Sequence, residues 1–118
     1  MAISEAFAGT QDVDGTEWSM PRDASFDSAQ PQTADGVYQA FIDLSTMATG
    51  DEYQIRIYEK AQAGDTQRVV YQSNLVGPQS PPMWVSPSLV LINGFDFTLK
   101  RIAGATARTI TWSIRSIA

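Results

Sequence analysis

Alternation of apolar and polar residues with a period of two is the feature that most limits how this chain can fold. It is clearest in two segments, in which the apolar alternate positions are Tyr38, Ala40, Ile42 and Leu44, and Tyr53, Ile55 and Ile57. Successive side chains of a β-strand point to opposite faces of the sheet. The pattern therefore predicts strands over Val37–Leu44 and Tyr53–Lys60, each with one buried face.

Further strand signals are separated by turn residues, and no long helix is predicted. The other strand candidates are Thr16–Pro21, Gln67–Val76, Ser88–Ile92, Phe95–Ile102 and Arg108–Ile117. Short strands with frequent turns are typical of sandwiches and barrels, whereas parallel sheets need longer crossovers. The sequence thus predicts an all-β fold. We expect an antiparallel two-sheet β-sandwich, jelly-roll or immunoglobulin-like, with about seven or eight strands.

Asn93-Gly94 lies between two apolar runs, which is a strong hairpin signal. A two-residue loop would pair Ile92 with Phe95, Val90 with Phe97, and Ser88 with Leu99. These six side chains would share a core-facing side. We expect the last strand to add alternate positions to the same core, namely Ile110, Trp112 and Ile114.

The first fifteen residues differ from the rest of the chain because they are small, polar and acidic. We expect residues 1–15 to form an extended N-terminal arm that is mobile until a partner orders it. Residues 16–118 would form the β-sandwich domain. Ile3 and Phe7 are the large apolar groups that could anchor the arm in a groove, and its carboxylates would steer it to a basic surface.

Composition and charge exclude several classes of function. The 118 residues include no Cys and no His, so thiol chemistry, the commonest metal ligand and the commonest general base are absent. Residues 1–51 carry a net charge of −8 and residues 52–118 a net charge of +3, which sum to −5. No basic face for nucleic acid and no apolar run long enough for a membrane helix is apparent. Asp12–Glu17 resembles only a fragment of a calcium loop.

We therefore expect a protein that is not an enzyme and that needs no cofactor or metal. Its function would depend on contact residues, which are apolar or aromatic side chains in the arm, in loops or on the wetter strand faces. These predicted interface residues are Ile3, Phe7, Trp18, Phe41, Tyr58, Trp84, Leu89 and Leu91. Exposed tryptophans would also suit a carbohydrate-binding module, which stays open as an alternative.

Several motifs, in their order along the chain, resemble a set of small tailed-phage virion proteins. They are TEWSMP, DGVYQAFIDLS, GDEYQIRIYEK, TQRVVY, WVSPSLVLINGFDFTLKRIAG and TITWSIRSIA. The resemblance covers nearly the whole chain from Thr16 onward and consists of sandwich-framework motifs. Family members commonly have a basic residue and Leu, or His-Gly, near this turn, whereas this chain has Asn93 in place of His.

The resemblance implies a non-enzymatic virion structural protein. Its most natural role is capsid decoration: a cement protein that binds the outer capsid surface and stabilises the head. The partners implied are the major capsid protein and further copies of the chain, as a trimer at a capsid three-fold position. The protein would be made in the host bacterial cytoplasm and end on the virion surface. A head–tail connector or a tail structural protein is the alternative within this class.

Overall fold

A computed structural model describes residues 2–117, and all its regular secondary structure is β-strand. Ten strands follow one another along the chain. They are β1 (Ile3–Val13), β2 (Trp18–Ser19), β3 (Ala24–Ser25), β4 (Gly36–Asp43), β5 (Glu52–Glu59), β6 (Arg68–Val76), β7 (Met83–Val85), β8 (Leu89–Leu91), β9 (Asp96–Ala103) and β10 (Arg108–Ile117).

The strands form two antiparallel sheets that pack face to face as a β-sandwich. The first, sheet A, has the order β1-β10-β4, and both β7 and β8 pair with the far side of β4. The second, sheet B, has the order β3-β2-β9-β5-β6. Most connections cross from one sheet to the other, as expected for a sandwich. The predicted all-β, two-sheet fold is confirmed.

The core lies between the sheets and is built from the alternating positions that the sequence analysis selected. Its side chains are almost all fully buried, among them Tyr38, Ala40, Ile42, Tyr53, Ile55, Ile57, Phe95, Phe97, Leu99, Ile110, Trp112 and Ile114. Pairing of β10 with β4 sets Trp112 opposite Ile42 and Ile114 opposite Ala40, so these positions share the inner face. The core assignment of the last strand is therefore confirmed.

The hydroxyl of Tyr53 connects the two sheets at one end of the sandwich. It donates to the backbone carbonyl of Val13 at 2.8 Å and accepts the backbone N–H of Arg108 at 2.9 Å. The neighbouring Asp51 carboxylate accepts the Ala48 N–H and binds the Arg108 guanidinium, each at 2.8 Å. These bonds lower the pKa of Asp51, the Ala48 N–H being the larger cause. The ends of β1, β5 and β10 are thus held together.

Gly9 is required by the position of the Trp112 side chain beneath β1. The two residues are paired across β1 and β10 on the inner face of sheet A. A Cβ atom on Gly9 would lie 2.7 Å from Cζ2 of Trp112, well inside van der Waals contact. The absence of a side chain therefore lets the indole pack directly against the β1 backbone.

The expected mobile arm is wrong for most of its length. Ile3–Val13 is β1, the edge strand of sheet A, and it pairs with β10 from Ile3 to Val13 with one irregularity between Glu5 and Phe7. Few of its side chains reach the core, which is why composition alone suggested disorder. The backbone ladder, the burial of Val13 and the stacking of Phe7 on Tyr38 hold it instead.

The predicted Asn93-Gly94 hairpin is also wrong. β8 pairs with β4 in sheet A, whereas β9 lies between β2 and β5 in sheet B, so the turn joins the two sheets. Glu59 accepts the N–H groups of Ile92 and Asn93 and directs the chain across. As a result Leu91 is buried, while Val90 and Ile92, expected in the core, are 73% and 52% exposed.

Replacing Tyr53 with Phe removes only the hydroxyl that joins the sheets. The Val13 carbonyl and the Arg108 N–H would then be left without that partner in a buried region. We expect the free energy of unfolding to fall by about 1–3 kcal/mol in chemical denaturation. Tyr71→Phe, on the half-buried rim of β6, is the matched control and should change little. Equal effects of the two substitutions would contradict the role given to Tyr53.

Gly9→Ala tests the close contact with Trp112. The added methyl group must displace the indole or the strand, and overpacking of this kind costs about 1–3 kcal/mol. Gly64→Ala is the control, because a Cβ there meets nothing within 4 Å. Thermal melts should show a lower midpoint for Gly9→Ala alone, and an unchanged midpoint would exclude the predicted clash.

Candidate interaction surface

The outer face of sheet A is the best candidate for a functional surface, because strand register arranges its side chains in rows. The first row is apolar and crosses four strands, from Ile3 through Ile117 and Val37 to Val90. The row that contains Phe41 and Val85 is also apolar at its β4 and β7 positions. A long apolar ridge therefore crosses this face and a short one lies on β4 and β7, and we call the surface that carries them the ridged face.

A shallow depression of about 220 Å³ lies between the two ridges. It is lined by members of both ridges and by polar side chains, namely Ile3, Val37, Tyr38, Gln39, Phe41, Ser88, Arg115, Ser116 and Ile117. The Arg115 guanidinium lies 3.7 Å from the centre of the Phe41 ring, a cation–π contact. Arg115 therefore covers the aromatic ring and also lines the depression.

Beyond the first ridge, the outward positions of β1 and β10 are mostly polar or acidic. Thr10 bonds to Thr111, and the Glu5 carboxylate accepts the Ser113 hydroxyl at 2.8 Å. Asp12 likewise accepts the Thr109 hydroxyl. With Asp43 opposite Thr111, this side of the face carries more carboxylates than cations. The surface thus combines exposed apolar ridges with a negative margin, which favours a partner that offers apolar and basic groups.

The structure brings two of the predicted interface residues together on this face, namely Ile3, which is 70% exposed, and Phe41. Four others are half-buried and packed against the core: Phe7, Trp18, Trp84 and Leu89. The Trp84 ring faces Tyr71 of the opposite sheet at 6.2 Å. Five further residues of this face were not predicted as contact residues, namely Val37, Val85, Val90, Arg115 and Ile117. Val37 and Arg115 could have been identified from the sequence, because they occupy the alternate positions of β4 and β10 that face away from the core.

Tyr58 and Leu91 were predicted as contact residues, and the structure contradicts both. Leu91 is 2% exposed because β8 turns it toward the core. Tyr58 is 8% exposed because Phe26, from the segment between β3 and β4, stacks on its ring at 4.7 Å. That segment has no strand pattern of its own, so alternation in β5 alone could not show that the outer face of sheet B is covered here.

A buried polar cluster lies beneath this cover on the outer face of sheet B. One carboxylate oxygen of Glu17 accepts the hydroxyls of Tyr58 and Thr98, each at 2.5 Å. Beside it, Oδ1 of Asp96 accepts the Ser19 hydroxyl at 2.8 Å and the Phe97 N–H at 2.9 Å. Oδ2 of Asp96 is buried and has no hydrogen-bond partner among residues 2–117. Burial raises the pKa of Asp96 to about 6, although its hydrogen bonds act in the opposite direction.

The described residues offer little for catalysis or for metal binding. Within residues 2–117, no group of three or more His, Cys, Asp or Glu side chains is placed to hold a metal ion. Asp96, the carboxyl group whose pKa is raised, is fully buried and lies away from the ridged face. No helix in this part of the chain could span a membrane.

Comparison with known proteins does not assign the chain to a family. No protein-family model matches it, and no curated protein matches it. The resemblance to tailed-phage virion proteins therefore stays a prediction, and the ridged face is interpreted on its own geometry.

Asp96→Asn tests the buried carboxyl group through the pH dependence of stability. The folded state binds the Asp96 proton more tightly than the unfolded chain does. The contribution of this proton to the free energy of unfolding is therefore complete below pH 3.8 and is lost as the pH rises through about 6. The amide stays neutral and keeps the acceptor for Ser19. We expect it to stabilise the protein by up to about 3 kcal/mol at high pH and to have little effect near pH 4.

Denaturant unfolding of wild type and of Asp96→Asn, at several pH values from near pH 4 upward, measures the difference between their free energies of unfolding. Asp35→Asn, at an exposed site, is the control and should show no such trend. A gain for Asp96→Asn that is the same at every pH would contradict the assignment.

Proposed function

We propose that this protein is a non-enzymatic structural component of a virion that decorates the capsid as a cement protein. The observation that supports this role is the ridged face, where Ile3 and Val90 are 70% and 73% exposed on a rigid sheet. An apolar surface on one sheet of a small sandwich is typical of a docking site. The resemblance of the strand motifs to phage virion proteins supplies the class of particle.

The partner that fits best is the major capsid protein. It would place apolar side chains along the two ridges, where burial stabilises the complex. Basic groups would lie opposite Glu5, Asp12 and Asp43, whose carboxylates steer encounter. Because these charges lie at an exposed margin, added salt should slow association. Many copies on one shell then stabilise it by mass action, even when each contact is modest.

Features of the aromatic side chains support capsid docking over sugar binding. A sugar stacks on an open ring face, whereas Arg115 covers the ring of Phe41. Trp18 and Trp84 pack against the core, and Trp112 is 2% exposed. A connector or tail position remains the alternative within the virion class, since the same ridged face could dock there.

Binding to undecorated capsids of the parent particle tests the proposal. Val85→Asp and Val90→Asp each place a carboxylate on an apolar ridge at an exposed site, so the fold should persist. We expect each to weaken co-sedimentation with capsids at least tenfold, which corresponds to about 1.4 kcal/mol. Ile102→Asp, an exposed apolar position at the end of β9 in sheet B, is the control and should bind like wild type.

The possible outcomes test the decoration role and the docking surface separately. If wild-type protein does not bind capsids and is absent from purified particles, the decoration role is wrong. If wild type binds and the two ridge variants bind equally well, the role stands and the ridged face is the wrong surface.

A further inference from the structure

β6 is the outermost strand of sheet B, and its second edge pairs with no strand among residues 2–117. It carries three of the exposed large apolar residues, Val69, Val70 and Val76. After the strand, the side chain of Gln79 folds back and donates to the carbonyl of Val76, the last residue of β6, at 3.2 Å. An edge with unpaired backbone groups and exposed valines is a template for another strand.

The sequence of this edge is a chemical palindrome. Residues 70–76 read VYQSNLV, with two apolar residues, an amide, a serine, an amide and two apolar residues. Ser73 is the centre. An antiparallel pair of identical strands brings each residue opposite the one at the same distance on the other side of the centre. The segment is therefore complementary to a second copy of itself.

We propose that two copies of this chain associate through antiparallel pairing of their β6 edges, about a two-fold axis at Ser73. Val70 then lies opposite Val76 of the partner subunit, and Tyr71 opposite Leu75 of the partner subunit. Gln72 faces Asn74 of the partner subunit, so polar side chains that already bond to each other within one chain meet polar side chains across the interface. The two copies of sheet B become one continuous sheet.

The charged residues favour pairing of two copies through β6 over pairing through β1, the other long edge strand. β1 carries Glu5 and Asp12, so an antiparallel pair of β1 edges would bring the carboxylates of both copies into one interface. β6 has a single charged residue, Arg68, which lies outside the palindrome. Antiparallel pairing separates the two arginines to opposite ends of the interface. Because a two-fold contact is isologous, it uses up both edges and closes as a dimer.

Pairing also extends the existing core. Tyr71 and Leu75 are half-buried and pack against it from the rim of β6, and Trp84 lies beside Tyr71. In the dimer, Tyr71 and Leu75 of the two subunits lie next to each other across the two-fold axis, and the exposed valines of the paired segment are covered. The inference goes beyond capsid docking, because Val85 and Val90 of the ridged face are in the other sheet. It also gives a dimer in place of the trimer that the sequence analysis expected.

Light scattering coupled to size exclusion tests the assembly and its register. Wild type should have twice the 12.9 kDa mass of the chain. Val70→Lys/Val76→Lys sets ammonium groups opposite each other at both ends, and a monomer is expected. Val70→Lys/Val76→Glu sets an ammonium opposite a carboxylate at both ends, and the dimer should return. Val90→Lys, an exposed valine on sheet A, is the control and should stay dimeric.

A cysteine cross-link gives a second readout that does not depend on charge. The chain has no cysteine, so a single Ser73→Cys substitution introduces the only thiol. Directly opposed residues of an antiparallel pair have Cα atoms about 4.5–5.5 Å apart, within the range for a disulfide. Oxidation should link Ser73→Cys subunits rapidly and Gln72→Cys subunits much more slowly.

Circular dichroism is used to check that each variant is folded before its mass or its cross-linking is measured. A wild-type monomer at the highest soluble concentration, or a trimer, would overturn the proposal. Equal masses for the two double variants, or equal cross-linking of the two cysteine variants, would overturn the register centred on Ser73.

Discussion

The rest of the structure depends on the hydrogen bonds that Tyr53 makes between the sheets. Its hydroxyl joins the carbonyl of Val13 to the N–H of Arg108, and Asp51 holds the Arg108 side chain beside it. Gly104 makes room for this contact, since a Cβ there would lie 2.5 Å from the Asp51 carboxylate. The end of β1 and the start of β10 in sheet A are thereby fixed to β5 of sheet B without a disulfide or a metal.

Fixing β1 and β10 in this way also fixes the surface that we interpret as functional. The ridges exist only because Ile3, Ile117 and Val37 stand in one register across neighbouring strands. A shift of one residue in β1 would exchange its inner and outer side chains. The contact of Gly9 with Trp112 opposes such a shift, because no residue with a side chain fits there. Core packing and surface pattern are therefore set by the same pairs of residues.

The ridged face and the β6 edge belong to different sheets, so one can act without blocking the other. A dimer formed through β6 would carry two ridged faces. When both can reach the capsid at once, the second contact is effectively intramolecular, and the overall affinity rises without any new interaction. A rigid sandwich is well suited to this arrangement, because little conformational entropy is lost on binding.

Sequence alternation predicted the parts of the fold where one face of a strand is buried and the other is solvated. β4, β5 and β10 were found in this way, together with Trp112 and its core neighbours. Prediction failed where the partner of a segment is distant in sequence. β1 is held by a ladder to the opposite end of the chain, and the Asn93-Gly94 turn is redirected by Glu59. Local composition carries no signal for such contacts.

The candidate surface was predictable to a smaller extent, for the same reason. Ile3 and Phe41 were identified as contact residues, but Val90 was assigned to the core because the hairpin register was assumed. Its true neighbour is Val37, in a strand more than fifty residues away. The cover that buries Tyr58 comes from a segment without regular structure. Surfaces that combine several strands become visible only when the register of the whole sheet is known.

The most direct test of the central claim is a cryo-electron microscopy reconstruction of the particle that carries this protein. We expect sandwich-shaped density on the outer capsid surface, with sheet A turned toward the shell and the row from Ile3 to Val90 in contact with it. Density seated through sheet B, with the ridged face open to solvent, would contradict the docking surface. A particle with no such density on its capsid would contradict the decoration role itself.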